Sequence, residues 1–421
     1  HLEQKIKAEI LDHRLGISDH RVFLELKRLI ENHAIESADP ITKELLDGYL
    51  KRAQTRYLLP QQFPIDDAKY VSREQFAGQL DEMIAASSGE YIIVTGPPGS
   101  GKSTTLTKHF DALSTECSDK FVVVRYYCFV RPNENLQKRR LEATSLRVNL
   151  LTELRKKFSH VLDSRHFDYS DSALFEALEA LGEHCGNEGL KLILFLDGLD
   201  HADRDKSIRD NVIEALPKEL AENIVCVIGT QELSCWEPLT LKEARQNNHL
   251  AIPLFTEEES LRYIVDRCGI ALEKNLIKKV FAKSGGLPLY LHYAGQILGE
   301  SDDYTASVDS LSEAMTGDIR NYYESLWHEL ESGHCPQAKH LCIVFALLKF
   351  PVSVDELSLF QTELPNSSSL DTAYSKIKHL LKVHSSQASI FHDSFRAFLL
   401  KKVLEHRFRE VFHSFPQGLP E

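Results

Sequence analysis

Between residues 91 and 254 the chain repeats one pattern: a short run of consecutive apolar residues, then a longer stretch with apolar positions three and four apart. Runs at 91–95, 121–127, 191–196, 223–229 and 249–254 read as five strands, and stretches at 141–158 and 172–185 as helices between them. The strands lack the alternation of a half-exposed sheet, which predicts a parallel sheet buried on both faces. Beyond 254 the spacing is helical only, with helices expected at 257–268, 272–284, 289–298 and 307–330. The C-terminal part then mixes helices with a strand candidate at 389–391. At the other end, Ile6, Ile10, Leu11 and Leu15, then Val22, Phe23, Leu26, Leu29 and Ile30, also follow helical spacing. A break at 37–40 starts a further helix at 41–52. Leu59-Pro60 and Phe63-Pro64 read as an extended linker. The expected organisation is a helical segment (1–62), an α/β unit (63–255), a helical unit (256–330) and a C-terminal unit (331–421).

Composition narrows this picture in a few respects. A chain of 421 residues is long enough for two to four compact units. Its net charge of −13 argues against a large non-specific nucleic-acid surface. No apolar run approaches the roughly 18 residues that cross a bilayer. The charged opening His1-Leu2-Glu3-Gln4-Lys5 predicts no signal peptide, and a start without Met predicts a further segment upstream. The eight cysteines form no C-x-x-C pair, so reduced thiols and a cytoplasmic location are expected. His334-Cys335, His340 and Cys342 match no zinc spacing and read as a helix start.

The candidate chemistry is concentrated after the first strand. Gly96-Pro97-Pro98-Gly99-Ser100-Gly101-Lys102-Ser103 fits the phosphate-binding loop G-x-x-x-x-G-K-[ST] at every fixed position, between a strand and a helix-competent segment from Thr104. Such a loop closes backbone N–H groups around phosphate oxygens at a helix N-terminus. Lys102 is placed for the β- and γ-phosphates of ATP, and the Ser103 hydroxyl for Mg²⁺. The run 192–196 ends in Asp197, which puts a carboxylate at the strand's carboxyl edge, where it would hold the same Mg²⁺. Asp200 is placed to polarise an attacking water or to complete the metal shell. Thr230, or Gln231, ends the fourth strand near the γ-phosphate if that strand neighbours the first. Arg204 and Arg209 read either as solvated helix residues or as groups acting on a neighbouring subunit's nucleotide.

With these motifs in order, the chain resembles the signal-transduction ATPases with numerous domains (STAND), the class that includes NACHT and NB-ARC proteins. Tyr70-Val71-Ser72-Arg73-Glu74 is similar to the element that family places against the base, with Ser72 in place of glycine. Asp197-Gly198-Leu199-Asp200 has the form typical of the class. Gly285-Gly286-Leu287-Pro288-Leu289 is similar to the lid element whose proline lies near the nucleotide. Phe391-His392-Asp393 is similar to the winged-helix element whose histidine touches the ADP β-phosphate, with Phe391 at the methionine position. Where many relatives have Thr-Ser-Arg, this chain has Thr230-Gln231-Glu232. The resemblance implies an α/β P-loop NTPase core with a parallel five-stranded sheet of AAA+-like type, a helical lid and a winged-helix domain, after an α-helical N-terminal segment. It further implies a slow ATPase with ATP/ADP and Mg²⁺ as cofactors, acting as a switch. Such a switch assembles into a homo-oligomer when a protein or ligand activator binds, in immunity, antiviral defence or cell death. The acidic balance and the Phe391-His392-Asp393 element count against a direct nucleic-acid partner, and the apolar runs are too short for a membrane segment. The alternative is a DNA-acting AAA+ initiator or loader, kept open by the mildly basic stretch 375–382.

Overall fold

The computed structural model describes residues 57–405 except 131–135, 163–168, 206, 209, 235, 237–238, 313–317, 333–335, 349–350, 354–355, 358–366 and 385. The helices expected within 1–56, and Arg209, lie outside the described residues.

Strands β1 (Glu90–Thr95), β2 (Phe121–Tyr127), β3 (Lys191–Asp197), β4 (Ile224–Thr230) and β5 (His249–Ala251) pair in parallel in the order β2-β3-β4-β1-β5. Side chains alternate between the two faces of a strand, and here both faces are apolar. Tyr91, Ile93, Leu192, Leu194, Cys226 and Ile228 join one core with helices α3 (Ala143–Lys157), α4 (Asp171–Glu188) and α6 (Leu239–Asn247). Ile92, Val94, Ile193, Phe195, Val225 and Val227 join the other with α1 (Glu74–Ala86) and α2 (Lys102–Glu116). Double-sided burial explains why these strands are continuous apolar runs. The short helix α5 (Leu199–Arg204) follows β3 directly.

Strand β5 is shorter than the run 249–254 suggests. Ile252 still donates to Thr95 O (2.8 Å), but Pro253 has no N–H with which to extend the ladder. Residues 57–63, the expected linker, form an extended strap along β2 and α3. Asn149 Oδ1 accepts from Leu59 N (2.9 Å) and its amide donates to Tyr57 O (2.6 Å). Gln61 Oε1 accepts the Tyr127 N–H (2.8 Å), so the strap occupies part of the edge of β2.

The helical unit comprises α7 (Glu257–Leu261), α8 (Lys274–Ser284), α9 (Pro288–Gly299), α10 (Tyr304–Ser310) and α11 (Ile319–Ser332). Helix α7 starts at a capping box between Thr256 and Glu259 and widens into a π turn over Arg262–Arg267. The stretch 307–330 is not one helix: Leu311 is extended, and Asp318 Oδ1 accepts from Arg320 N where α11 begins. The C-terminal unit runs α12 (Pro336–Leu347), β6 (Val352–Ser353), α13 (Ser367–Ile377), β7 (Leu381–His384), β8 (Gln387–Ile390) and α14 (Asp393–Glu405). Its strands form an antiparallel sheet in the order β6-β8-β7. This helix–strand–helix–hairpin order is that of a winged helix. The helical unit and the winged helix do not have separate interiors. Tyr290, Tyr293, Tyr322, Tyr323, Trp327, Phe395 and Phe398 belong to one hydrophobic cluster spanning both.

Candidate nucleotide-binding site

The carboxyl ends of β1, β3 and β4 lie side by side, with Thr95 in register with Thr230 and Asp197 with Gly229. In open parallel sheets this edge is where ligands bind. The loop leaving β1 needs its glycines: Gly99 and Gly101 have φ of +80° and +78°, and Gly101 leads directly into α2. That fifteen-residue helix presents its free N–H groups and dipole to the loop. Lys102, 8% exposed, donates to Asp197 Oδ1 across the mouth (3.3 Å). Thr230 is in the strand beside β1, fully buried, and its Oγ1 has no hydrogen-bond partner among the described residues. Ser100 Oγ is likewise buried and unpaired. Pro97 O accepts from Ser100 N (3.1 Å), while Gly101 O accepts from Thr105 N, which carries the turn of Lys102, Ser103 and Thr104 into the helix. Gly96 and Pro98 complete the loop.

These observations fit a nucleoside phosphate with a divalent cation. The loop offers a backbone cradle, one cation in Lys102, one buried carboxylate in Asp197, and unsatisfied hydroxyls at Ser100 and Thr230. Ser103 and Asp197 are the residues that would hold Mg²⁺.

Asp200 is engaged elsewhere. Its Oδ2 accepts from Arg204 Nη2 (2.5 Å) and its Oδ1 from Gln231 N (3.2 Å), so Arg204 is tied within its own helix. Burial pushes the Asp200 carboxyl up, but His201, Lys102, Arg204 and the Gln231 N–H outweigh it, and its pKa is lowered.

Arg73 lies beneath the loop, 3% exposed. Its Nη2 donates to Ser100 O, and its guanidinium packs over the Phe255 ring at 4.7 Å. Burial lowers its pKa to about 10, against the opposing charge of Glu259. Its contact is with the loop backbone, as a buttress.

Both later units reach this site. Leu289, at the start of α9, donates its N–H to Gly99 O (3.1 Å). A Cβ on Gly101 would stand 3.8 Å from Pro288 Cγ and 3.3 Å from Arg73 Nη2. His392 precedes α14, and burial followed by the Lys102 charge lowers its pKa to about 4. His201 of α5 stacks on Phe129 (4.1 Å); burial chiefly, with Arg204, Lys102 and His392 adding, lowers it to about 3. Burial raises the Asp393 carboxyl, against the charges of Arg204 and Arg396.

One residue here carries no motif signal, and one within the lid motif has a role that the motif does not reveal. A Cβ on Gly229 would lie 2.4 Å from Asp197 Oδ1, so glycine is what leaves room for that carboxylate. Leu289 fills the space over Gly99, where a Cβ would come 2.6 Å from its own. Only the β4–β3 register, invisible in sequence, identifies the first. No group of three or more His, Cys, Asp or Glu side chains placed to hold a metal ion occurs among the described residues, and no described helix is long and apolar enough to cross a membrane.

The model for the AAA ATPase domain matches residues 70–228. None of the curated proteins compared with the chain matches it. Among solved structures, a Walker-type ATPase of Pyrococcus abyssi is similar at 14% identity, covering 81% of this chain and 99% of its own, with a TM-score of 0.41. A STAND protein with a tetratricopeptide repeat sensor from Pyrococcus horikoshii is similar at 15% identity and a TM-score of 0.39. That match covers 81% of this chain and 44% of the Pyrococcus horikoshii protein. Cdc6p from Pyrobaculum aerophilum is similar at 16% identity, covering 83% of this chain and 98% of its own, with a TM-score of 0.33. At these identities and scores none of the three decides what the chain acts on. The domain match and the loop geometry agree that residues 70–228 hold an AAA ATPase domain with a P-loop.

Proposed function

We propose that this chain is a nucleotide-dependent signalling switch of the STAND kind. It would hydrolyse ATP slowly and form a homo-oligomer in one of its two states. The observation that carries this reading is the cover over the loop: α9 is hydrogen-bonded to Gly99, and a Cβ on Gly101 would stand 3.8 Å from Pro288 Cγ. Two later units packed together over one phosphate seat can respond to whether a γ-phosphate is present. In this reading Gly96–Thr104 cradle the phosphates, and Pro288 and His392 close on a diphosphate. Thr230 senses the third phosphate, and Arg73 supports the loop from below. Bound magnesium would offset charge on the β- and γ-phosphates. Asp200, once released by Arg204, would orient the attacking water. The units are taken as 63–255, 256–330 and 331–421, behind a helical segment 1–62.

A ligand shifts such an equilibrium only through its different affinity for the two states. Moving from 1:99 to 99:1 takes about 5.5 kcal/mol, so an activating protein or ligand is part of the proposal. The class resemblance makes immune, antiviral or cell-death signalling the setting. A DNA loader would need a basic recognition helix. Helix α13 instead carries one acid, Asp371, and one base, Lys376, and Lys378 just beyond it is paired with Glu300 of the lid.

The test is to denature purified protein and identify what it releases. Stoichiometric ADP or ATP supports the switch, and a native protein that releases none overturns it. Lys102→Ala should abolish both ATP binding and ATP-dependent assembly; assembly that persists unchanged removes the nucleotide from the mechanism.

A further inference from the structure

A hydrogen-bonded line connects His392 to the interior shared by the lid and the winged helix. Ser394 N–H donates to His392 Nδ1 (3.2 Å). A backbone nitrogen can only donate, so Nδ1 is an acceptor and the ring proton sits on Nε2. The position agrees, because His392 immediately precedes α14, and the positive end of a helix dipole disfavours imidazolium. Ser394 Oγ lies 2.7 Å from the same Nδ1 and therefore gives it the hydroxyl proton, which leaves its lone pairs to accept. Tyr323 of α11 is 2.9 Å from Ser394 Oγ and is the donor there. Tyr293 of α9 is 3.2 Å from the Tyr323 hydroxyl and donates in turn. Both tyrosines are fully buried, and burial raises both phenol pKa values, so the protons stay on oxygen at neutral pH. One unambiguous donor thus sets the direction of the whole line, from Tyr293 through Tyr323 and Ser394 to His392.

We propose that Ser394 and Tyr323 are positioning residues: the Ser394 N–H sets the Nε2–H tautomer of His392, and the hydroxyl line through Ser394 and Tyr323 holds the ring's orientation, with that proton free for a phosphate oxygen, and so ties the lid–winged-helix packing to nucleotide retention. The inference rests on the reading of His392 given above and adds what controls it. The line begins on α9, the helix whose first turn also bonds Gly99. A shift of α9 therefore acts on the phosphate seat from two sides.

The test uses the full chain labelled with ¹⁵N-histidine. Nitrogen shifts of the His392 ring are recorded, alongside release of a fluorescent ADP, for wild type, Ser394→Ala, Ser394→Thr, Tyr323→Phe and His392→Ala. The expected result is a changed Nδ1 nitrogen shift in Ser394→Ala and Tyr323→Phe, as that atom loses or weakens its hydroxyl partner while Nε2 stays protonated, with ADP release about five-fold faster, the effect of one typical buried hydrogen bond. Ser394→Thr keeps the hydroxyl and should restore both. Wild-type nitrogen shifts and release in Ser394→Ala and Tyr323→Phe, with His392→Ala fast, overturn the relay alone. Wild-type release in His392→Ala overturns the underlying reading of His392 as a phosphate contact. Unfolding midpoints of the variants separate either result from loss of fold.

Discussion

Acidification should loosen the interface between the lid and the winged helix well before it affects the carboxylates. His379 bonds Tyr322 (2.9 Å) and is lowered to about 4, by burial chiefly, with Glu300 opposing. His392 is also lowered to about 4, by burial first and then by the Lys102 charge. In the unfolded chain each ring takes up a proton as pH falls through about 6.5, whereas in the folded chain it stays neutral down to about 4. Over that window the unfolded state binds more protons, so stability is complete above about 6.5 and falls with pH. From pH 7.5 to 5.0 the loss works out at about 2 kcal/mol for each ring, or about 4 kcal/mol for the pair. Against a typical total of roughly 5–15 kcal/mol this is a large share. The assay is urea unfolding of wild type and of a His379→Gln/His392→Gln double variant at the two pH values. His109, His201, His249 and His292 shift in the same direction and remain in both proteins, so the difference isolates the pair. The double variant should lose about 4 kcal/mol less than wild type on acidification. Equal losses in the two proteins would refute the assignment of neutral, buried rings.

Two further outcomes follow from side-chain geometry. Gly229→Ala should push the Asp197 carboxylate off Lys102 and weaken magnesium-dependent nucleotide binding at least ten-fold, while costing about 1–3 kcal/mol of stability; calorimetric titration with and without Mg²⁺, beside an unfolding curve, checks both. Arg73→Ala should lower stability by about 1.5–3 kcal/mol, the range for a hydrogen bond to a charged group, and reduce ATP affinity by loosening the loop, whereas affinity kept at the wild-type value would show that Ser100 does not need the buttress.

Much of the core was legible because a strand buried on both faces must be apolar throughout, so β1, β3 and β4 stand out without an alignment. The loop from Gly96 to Ser103 is legible for a different reason: its backbone conformation restricts residue type at fixed spacing. What escaped the sequence lacks such a local constraint. Strand β6 has two residues, too few for any period, and β5 stops where Pro253 has no hydrogen to give. Gly229 looks like an ordinary strand glycine until Asp197 is seen beside it. Tyr323 and Ser394 lie 71 positions apart, and only the packed fold brings their hydroxyls together. Asp200 was recognisable by its place after β3, but its grip on Arg204 depends on side-chain directions within one short helix.

The common interior of the lid and the winged helix has a mechanical consequence. Two bodies that share one set of interlocked aromatic rings cannot swing apart separately without exposing them, so any large excursion carries both as a single lever. Its fulcrum would be the short segment after β5, where Phe255 N–H bonds Gly286 O (2.8 Å). A modest rotation there would lift Leu289 and His392 from the phosphate loop in the same stroke.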